Sequence, residues 1–165
     1  MKEKLFNSFF VCIRILASAW LTFLVSMIPL YIWRGTHSGN ESGENLLMSV
    51  IGLIFGFVFM MLLQAKDDAS CRYSLRDAAF AGGGGVLMYI ALWVLLYLPT
   101  KNNYLVAVLG YNLSCLIGSG ADRRPTFSAS LLSALIFGLI YLAAFIVGIK
   151  IAHIKKKRFL NDIKK

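Results

Sequence analysis

Charge in this chain is confined to short segments that separate long apolar blocks, and four of those blocks are long enough to cross a bilayer. They are residues 9–33, 46–64, 78–98 and 128–149. A membrane-spanning helix needs about 20 predominantly apolar residues to cover a hydrocarbon layer of about 30 Å. A soluble domain of 165 residues would break its apolar residues into shorter periodic runs, whereas here 58% of residues are hydrophobic and only 15% are charged. In lipid every backbone N–H and C=O must find a partner without help from water, which leaves helices as the expected form. The pattern therefore predicts an all-α integral membrane protein, a bundle of four transmembrane helices. No polar stretch is long enough to fold as a separate soluble domain. Residues 1–154 are read as one four-helix domain, followed by a basic cytoplasmic tail at 155–165. The first block lacks the small-residue cleavage site of a secretory signal and is expected to stay as an anchor.

A fifth apolar block, residues 104–120 (YLVAVLGYNLSCLIGSG), is shorter and holds Gly110, Asn112, Ser114, Gly118 and Gly120. As a helix it would reach only about 25 Å. The distribution of charge decides whether it spans. With four spans and both termini inside, the inner side collects Lys2, Lys4, Arg14, Lys66, Arg72, Arg76, Lys150, Lys155, Lys156, Lys157, Arg158, Lys164 and Lys165. The outer side keeps Arg34, Lys101, Arg123 and Arg124. A fifth span would divide the same cations almost evenly. Cytoplasmic loops of membrane proteins carry the excess of Lys and Arg, so four spans are expected. The 104–120 block then becomes a short extra helix or a re-entrant segment between the third and fourth spans. Residues 34–45 and 104–127 lie outside, and 65–77 inside. The sequence reads as a multi-pass protein of a cell membrane, with a bacterial plasma membrane the expectation from its small size and Lys-rich tail.

The formal charge of +9 does not point to nucleic acid, because the basic residues flank apolar blocks rather than forming a patch on a folded surface. Placed there they orient the chain and meet anionic lipid headgroups.

Helices in lipid associate through close packing and interhelical hydrogen bonds, since lipid tails are as apolar as Leu. Small and hydroxyl residues recur at helical spacing on every span. Ser18, Thr22 and Ser26 form one stripe, and Gly52 and Gly56 a GxxxG. Ala78 pairs with Gly82, and Ala81 with Gly85. Ser130, Ala134 and Gly138, then Ala144, Gly148 and Ala152, mark the last span. These are read as contact faces, with Gly52/Gly56 the sharpest candidate for self-association. Trp20 and Trp93 lie deep in their spans and are expected to pack inside. Tyr31, Trp33, Tyr97 and Tyr104 lie at predicted outer boundaries, as interfacial aromatics do.

Several constellations invite a chemical reading. The run Gly82-Gly83-Gly84-Gly85 follows Arg72 and Arg76, and bare backbone N–H groups beside arginines can receive a phosphate or lipid headgroup. The plainer reading is close helix packing or a hinge; no G-K-[ST] follows, so a nucleotide P-loop is not indicated. Asp67-Asp68 lacks the second acidic cluster that a metal–diphosphate site needs and reads as part of a solvated loop. Arg14 and Lys150, near the inner boundary, are expected to snorkel toward headgroups, with Asp77 a possible partner for Arg14. His37 and His153 have no second ligand at metal spacing. Cys12, Cys71 and Cys115 form no C-x-x-C. No cofactor or metal is expected, and no catalytic triad or H-E-x-x-H motif is present.

The 104–120 block offers one further candidate. Irregular backbone at membrane depth is tolerated where protein or a water-filled cavity covers it, and Gly110, Tyr111, Asn112, Ser114 and Cys115 would form the turn of a re-entrant element. No ionisable residue falls at the centre of a span, which speaks against an ion-driven transporter acting alone. The expected role is a non-enzymatic accessory subunit that binds another membrane protein, or itself, through its helix faces and basic inner surface. The alternative is a small oligomeric channel or transporter component with residues 104–120 lining the path. The topology, combined with a water-lined re-entrant turn, predicts that a membrane-impermeant maleimide added outside intact cells labels Cys115; labelling only after permeabilisation would reverse the assignment of that block.

Overall fold

The computed structural model describes residues 2–37, 41–66, 74–100, 117 and 126–163. Among these, four helices account for nearly everything and no strand occurs: α1 (Lys2–Thr36), α2 (Glu41–Ala65), α3 (Leu75–Thr100) and α4 (Phe127–Ile163). All four are long and apolar enough to cross a membrane. The block 104–120 lies outside the described residues except for Ile117, as do Asp67, Asp68, Cys71 and Arg72.

Helix starts follow local chemistry. Ser74 precedes α3 and accepts a hydrogen bond from the Asp77 backbone N–H (3.1 Å), while its hydroxyl donates to the Asp77 carboxylate (2.7 Å). This is a serine cap with an acidic residue three places on. Thr126 caps α4 by accepting from the Ala129 N–H (3.3 Å). Every helix runs past its apolar block, because polar residues at the ends of an apolar segment keep helical hydrogen bonds without difficulty. The extension is largest in α4, which continues unbroken through Lys155-Lys156-Lys157-Arg158. Its 37 residues reach about 55 Å, against about 37 Å for α2 with 25 residues.

The helices form a square. α1 packs on α2 and α3, and α4 packs on the same two helices, so the order around the bundle is α1, α2, α4, α3. Side-chain neighbours fix the directions. Arg14 meets Gln64 and Ser18 meets Met60, so α1 and α2 are antiparallel. Gly56 lies against Tyr141 and Gly148 against Gln64, so α2 and α4 are parallel. Gly82 faces Phe145 and Val86 faces Gly138, which makes α3 and α4 antiparallel. The N-terminus of α1, the C-terminus of α2, the N-terminus of α3 and the C-terminus of α4 therefore share one end.

The centre is filled by large side chains. Ile15, Met60, Trp93, Phe137, Tyr141, Phe145 and Ile149 are all buried. Ser18, Thr22 and Ser26 are fully buried on one face of α1. The Ser18 hydroxyl reaches the Met60 sulfur at 3.8 Å, while Thr22 and Ser26 donate to the carbonyls of Ser18 (2.8 Å) and Phe23 (2.7 Å) in their own helix. Trp93 packs with Ala134 inside the bundle. Trp20 differs from the expectation: it is 51% exposed. Two residues of helix turn it away from the Ser18 face, so depth in the sequence did not fix its direction.

Glycine sets how closely the helices approach. A Cβ built at Gly148 would lie 2.7 Å from the Met61 carbonyl oxygen and 2.7 Å from the Gln64 Cβ; at Gly138 it would lie 2.8 Å from Val86. The Met61 oxygen belongs to the backbone of α2 and cannot rotate away. Gly83, by contrast, has nothing within 4 Å of a Cβ. Gly148→Ala is expected to force α2 and α4 apart and cost about 1–3 kcal/mol, the usual penalty for overpacking. Gly83→Ala should leave stability unchanged or slightly raised. Thermal unfolding of the two variants in detergent compares them directly; equal melting temperatures would contradict the close approach.

Candidate functional site: the cationic end of the bundle

The helix directions gather Arg14, Lys66, Arg76, Lys150 and the Lys155–Arg158 run at one end of the molecule. Lys66 closes α2, its N–H bonded to the Leu62 carbonyl (3.1 Å). Arg76 is exposed in the first turn of α3. Beyond Ala152, which is buried, residues 153–161 of α4 are all exposed. The described part of the opposite end carries one cation, Arg34, against two carboxylates, Glu41 and Glu44. There Arg34 grips Glu44 with two parallel hydrogen bonds, Nε to Oε2 at 3.0 Å and a terminal nitrogen to Oε1 at 2.5 Å. This fork geometry ties the end of α1 to the start of α2.

Arg14 lies deeper than the other cations of its end. It falls four residues before Ser18, on the face of α1 that meets α2, and donates to the side-chain oxygen of Gln64. Gln64 is fully buried, and its stem lies against Gly148 of α4. Three helices thus meet at one polar contact. The absence of a side chain at residue 148 makes room for Gln64, and Gln64 in turn receives the guanidinium. Exposed apolar residues Leu5, Phe6, Phe9, Phe10 and Ile13 precede Arg14 on α1. A cation this close to apolar surroundings needs hydrogen-bond acceptors, because burying an unsatisfied charge costs several kcal/mol.

The predicted candidates fall into distinct places. Gly82 is occupied by Leu142 and Phe145 of α4, while Gly84 and Gly85 are occupied by Ser8 and Val11 of α1. The four glycines lie within α3, past its first turn, where backbone donors are already committed to the helix. Arg76 stands about 9–13 Å away along the axis at 1.5 Å per residue. Arg76 and Gly82–Gly85 are therefore not gathered into one pocket, and Arg72 lies outside the described residues. Gly56 faces Tyr141, Gly52 is buried, and Ser130, Ala134 and Gly138 lie on the buried side of α4. The Gly52/Gly56 pair thus faces the interior of its own chain. Gly110, Tyr111, Asn112, Ser114 and Cys115 lie outside the described residues. No group of three or more His, Cys, Asp or Glu side chains that could hold a metal occurs among the described residues.

Sequence reasoning passed over Gln64 and Tyr141. A signal for Gln64 existed, since it follows Met60 by one turn just as Ser18 follows Arg14. Only the antiparallel register of α1 and α2 turns those two spacings into a contact. Tyr141 is 1% exposed, stands edge-on to Tyr89 at 6.2 Å, and its hydroxyl has no hydrogen-bond partner among the described residues. Nothing in its surrounding run of aliphatic residues marked it. The chain matches no family model, no curated protein and no solved structure.

Removing either partner of the Arg14–Gln64 contact should destabilise the bundle, and the two losses should not add. Gln64→Leu and Arg14→Leu are each expected to lower stability, with a coupling on the order of 1 kcal/mol in a double-mutant cycle. Additive losses measured by unfolding in detergent would show that the contact carries no energy of its own.

Proposed function

We propose that this protein is inserted in the plasma membrane with both termini in the cytoplasm, and that it serves as a non-enzymatic accessory subunit for another membrane protein. The observation that carries this reading is the filled interior. Trp93, Phe137, Tyr141, Phe145, Ile15, Met60 and Ile149 occupy the middle of the four helices, and Gly56, Gly138 and Gly148 are used up by intramolecular contacts. The described bundle therefore has its packing spent on holding itself together, and its means of contacting other molecules lies on its outside. That outside is rich in large apolar side chains, among them Ile28, Ile54, Leu87, Leu95 and Leu139. The cationic end supplies a second, chemically different surface.

The alternative, a channel or transporter component, would route its path between copies or along residues 104–120 rather than through the middle of one bundle. Photo-crosslinkers placed in cells at Ile54, Leu87 and Leu139 sample three helix faces. At least one is expected to give a discrete adduct with a different membrane protein. Adducts only between copies of this chain, together with ion or solute flux through liposomes containing the purified protein, would favour the channel.

A further inference from the structure

We infer that the part of α4 that projects beyond the bundle is a binding site for anionic phospholipid headgroups, a reading that rests on the proposed membrane insertion. Lys150, Lys155, Lys156, Lys157 and Arg158 lie within nine residues, with no acidic residue among them, and all five are exposed.

Three geometric facts favour a lipid layer over an acidic protein. First, Lys155, Lys156, Lys157 and Arg158 are consecutive in an unbroken helix, and successive side chains turn by about 100°. The four cations therefore point to all sides. A docked protein covers one side of a helix, whereas a headgroup layer surrounds it.

Second, α4 would leave the membrane by its C-terminal end. Side chains on a helix lean toward its N-terminus, which here means back toward the bilayer. The ring stands about 8–12 Å past Lys150 along the axis. Long Lys and Arg side chains leaning back over that distance bring their charges to the phosphates, within a Debye length of about 8 Å.

Third, Ile154, Phe159 and Leu160 are exposed between and just beyond the cations, Phe159 at 65%. Cations mixed with aromatic and aliphatic side chains suit the boundary between headgroups and acyl chains, where the apolar groups find cover and the charges stay hydrated. Lys66 and Arg76 add exposed positive charge at the same end from α2 and α3.

The full-length protein reconstituted in phosphatidylcholine vesicles with trace spin-labelled lipid provides the test. Spin-labelled phosphatidylglycerol is expected to associate roughly fivefold more strongly than spin-labelled phosphatidylcholine, the factor contributed by about one cation near a membrane surface. The preference should fall with added salt. It should be lost in a variant carrying Lys155→Gln, Lys156→Gln, Lys157→Gln and Arg158→Gln. It should survive in the charge-conserving variant Lys155→Arg, Lys156→Arg, Lys157→Arg. No preference in the wild type, or an undiminished preference in the Gln variant, would overturn the inference. The first of these outcomes is also what a site for an acidic protein would give. Flotation of each protein with the vesicles reports insertion separately, so a failure of the membrane reading is distinguished from a failure of the lipid site.

Discussion

Close approach of helix backbones is the constraint on which the rest of this structure depends. Where α2 and α4 meet at Gly148, a single methyl group would collide with a backbone carbonyl of the neighbouring helix. Gly138 against Val86 and Gly82 against Phe145 repeat the device between α3 and α4, and Gly85 against Val11 repeats it between α3 and α1. In lipid such contact is what holds helices together, because an apolar side chain gains little by leaving lipid for protein. In the proposed membrane setting the dispersion energy of many short contacts, with a few buried hydroxyls and a guanidinium–amide contact, takes the place of the hydrophobic effect.

That constraint also places the polar groups. Gln64 can be buried because Gly148 leaves space for it, and Arg14 can lie deep because Gln64 accepts its hydrogen bond. The stripe of Ser18, Thr22 and Ser26 keeps α1 close to its neighbours while its hydroxyls are satisfied within the helix or by sulfur. At the opposite end the Arg34–Glu44 pair joins α1 to α2 beyond the apolar blocks. The antiparallel α1–α2 contact is thus pinned near both ends by an arginine, once against an amide and once against a carboxylate.

A self-filled interior shifts attention to surfaces. The described helices use their small residues on one another, and what remains outside is apolar bulk around the bundle and positive charge at one end. The membrane-subunit reading and the headgroup-binding reading of α4 address these two surfaces separately. They make different demands on the chain: one needs a shaped helix face, the other a ring of charge at a fixed height above the last span.

Much of the fold was legible in the residues. Block length gave the four helices, and charge placement grouped the basic residues of the proposed inner side, because the cost of putting charge or unbonded backbone into an apolar layer is large and local. Glycine and serine spacing marked faces that turned out to be buried, among them Gly56, Gly138, Ser18 and Ser130. Which helix each face meets was not legible. Leu and Phe look alike whether they touch lipid or protein, so Trp20 outside and Trp93 inside carry no distinguishing mark in the chain. The order α1, α2, α4, α3, the division of four consecutive glycines among two neighbours and open space, and the meeting of Arg14 with Gln64 all arise from register between helices. Register is set by the fit of whole surfaces rather than by any run of residues, and so it was decided only when the helices packed.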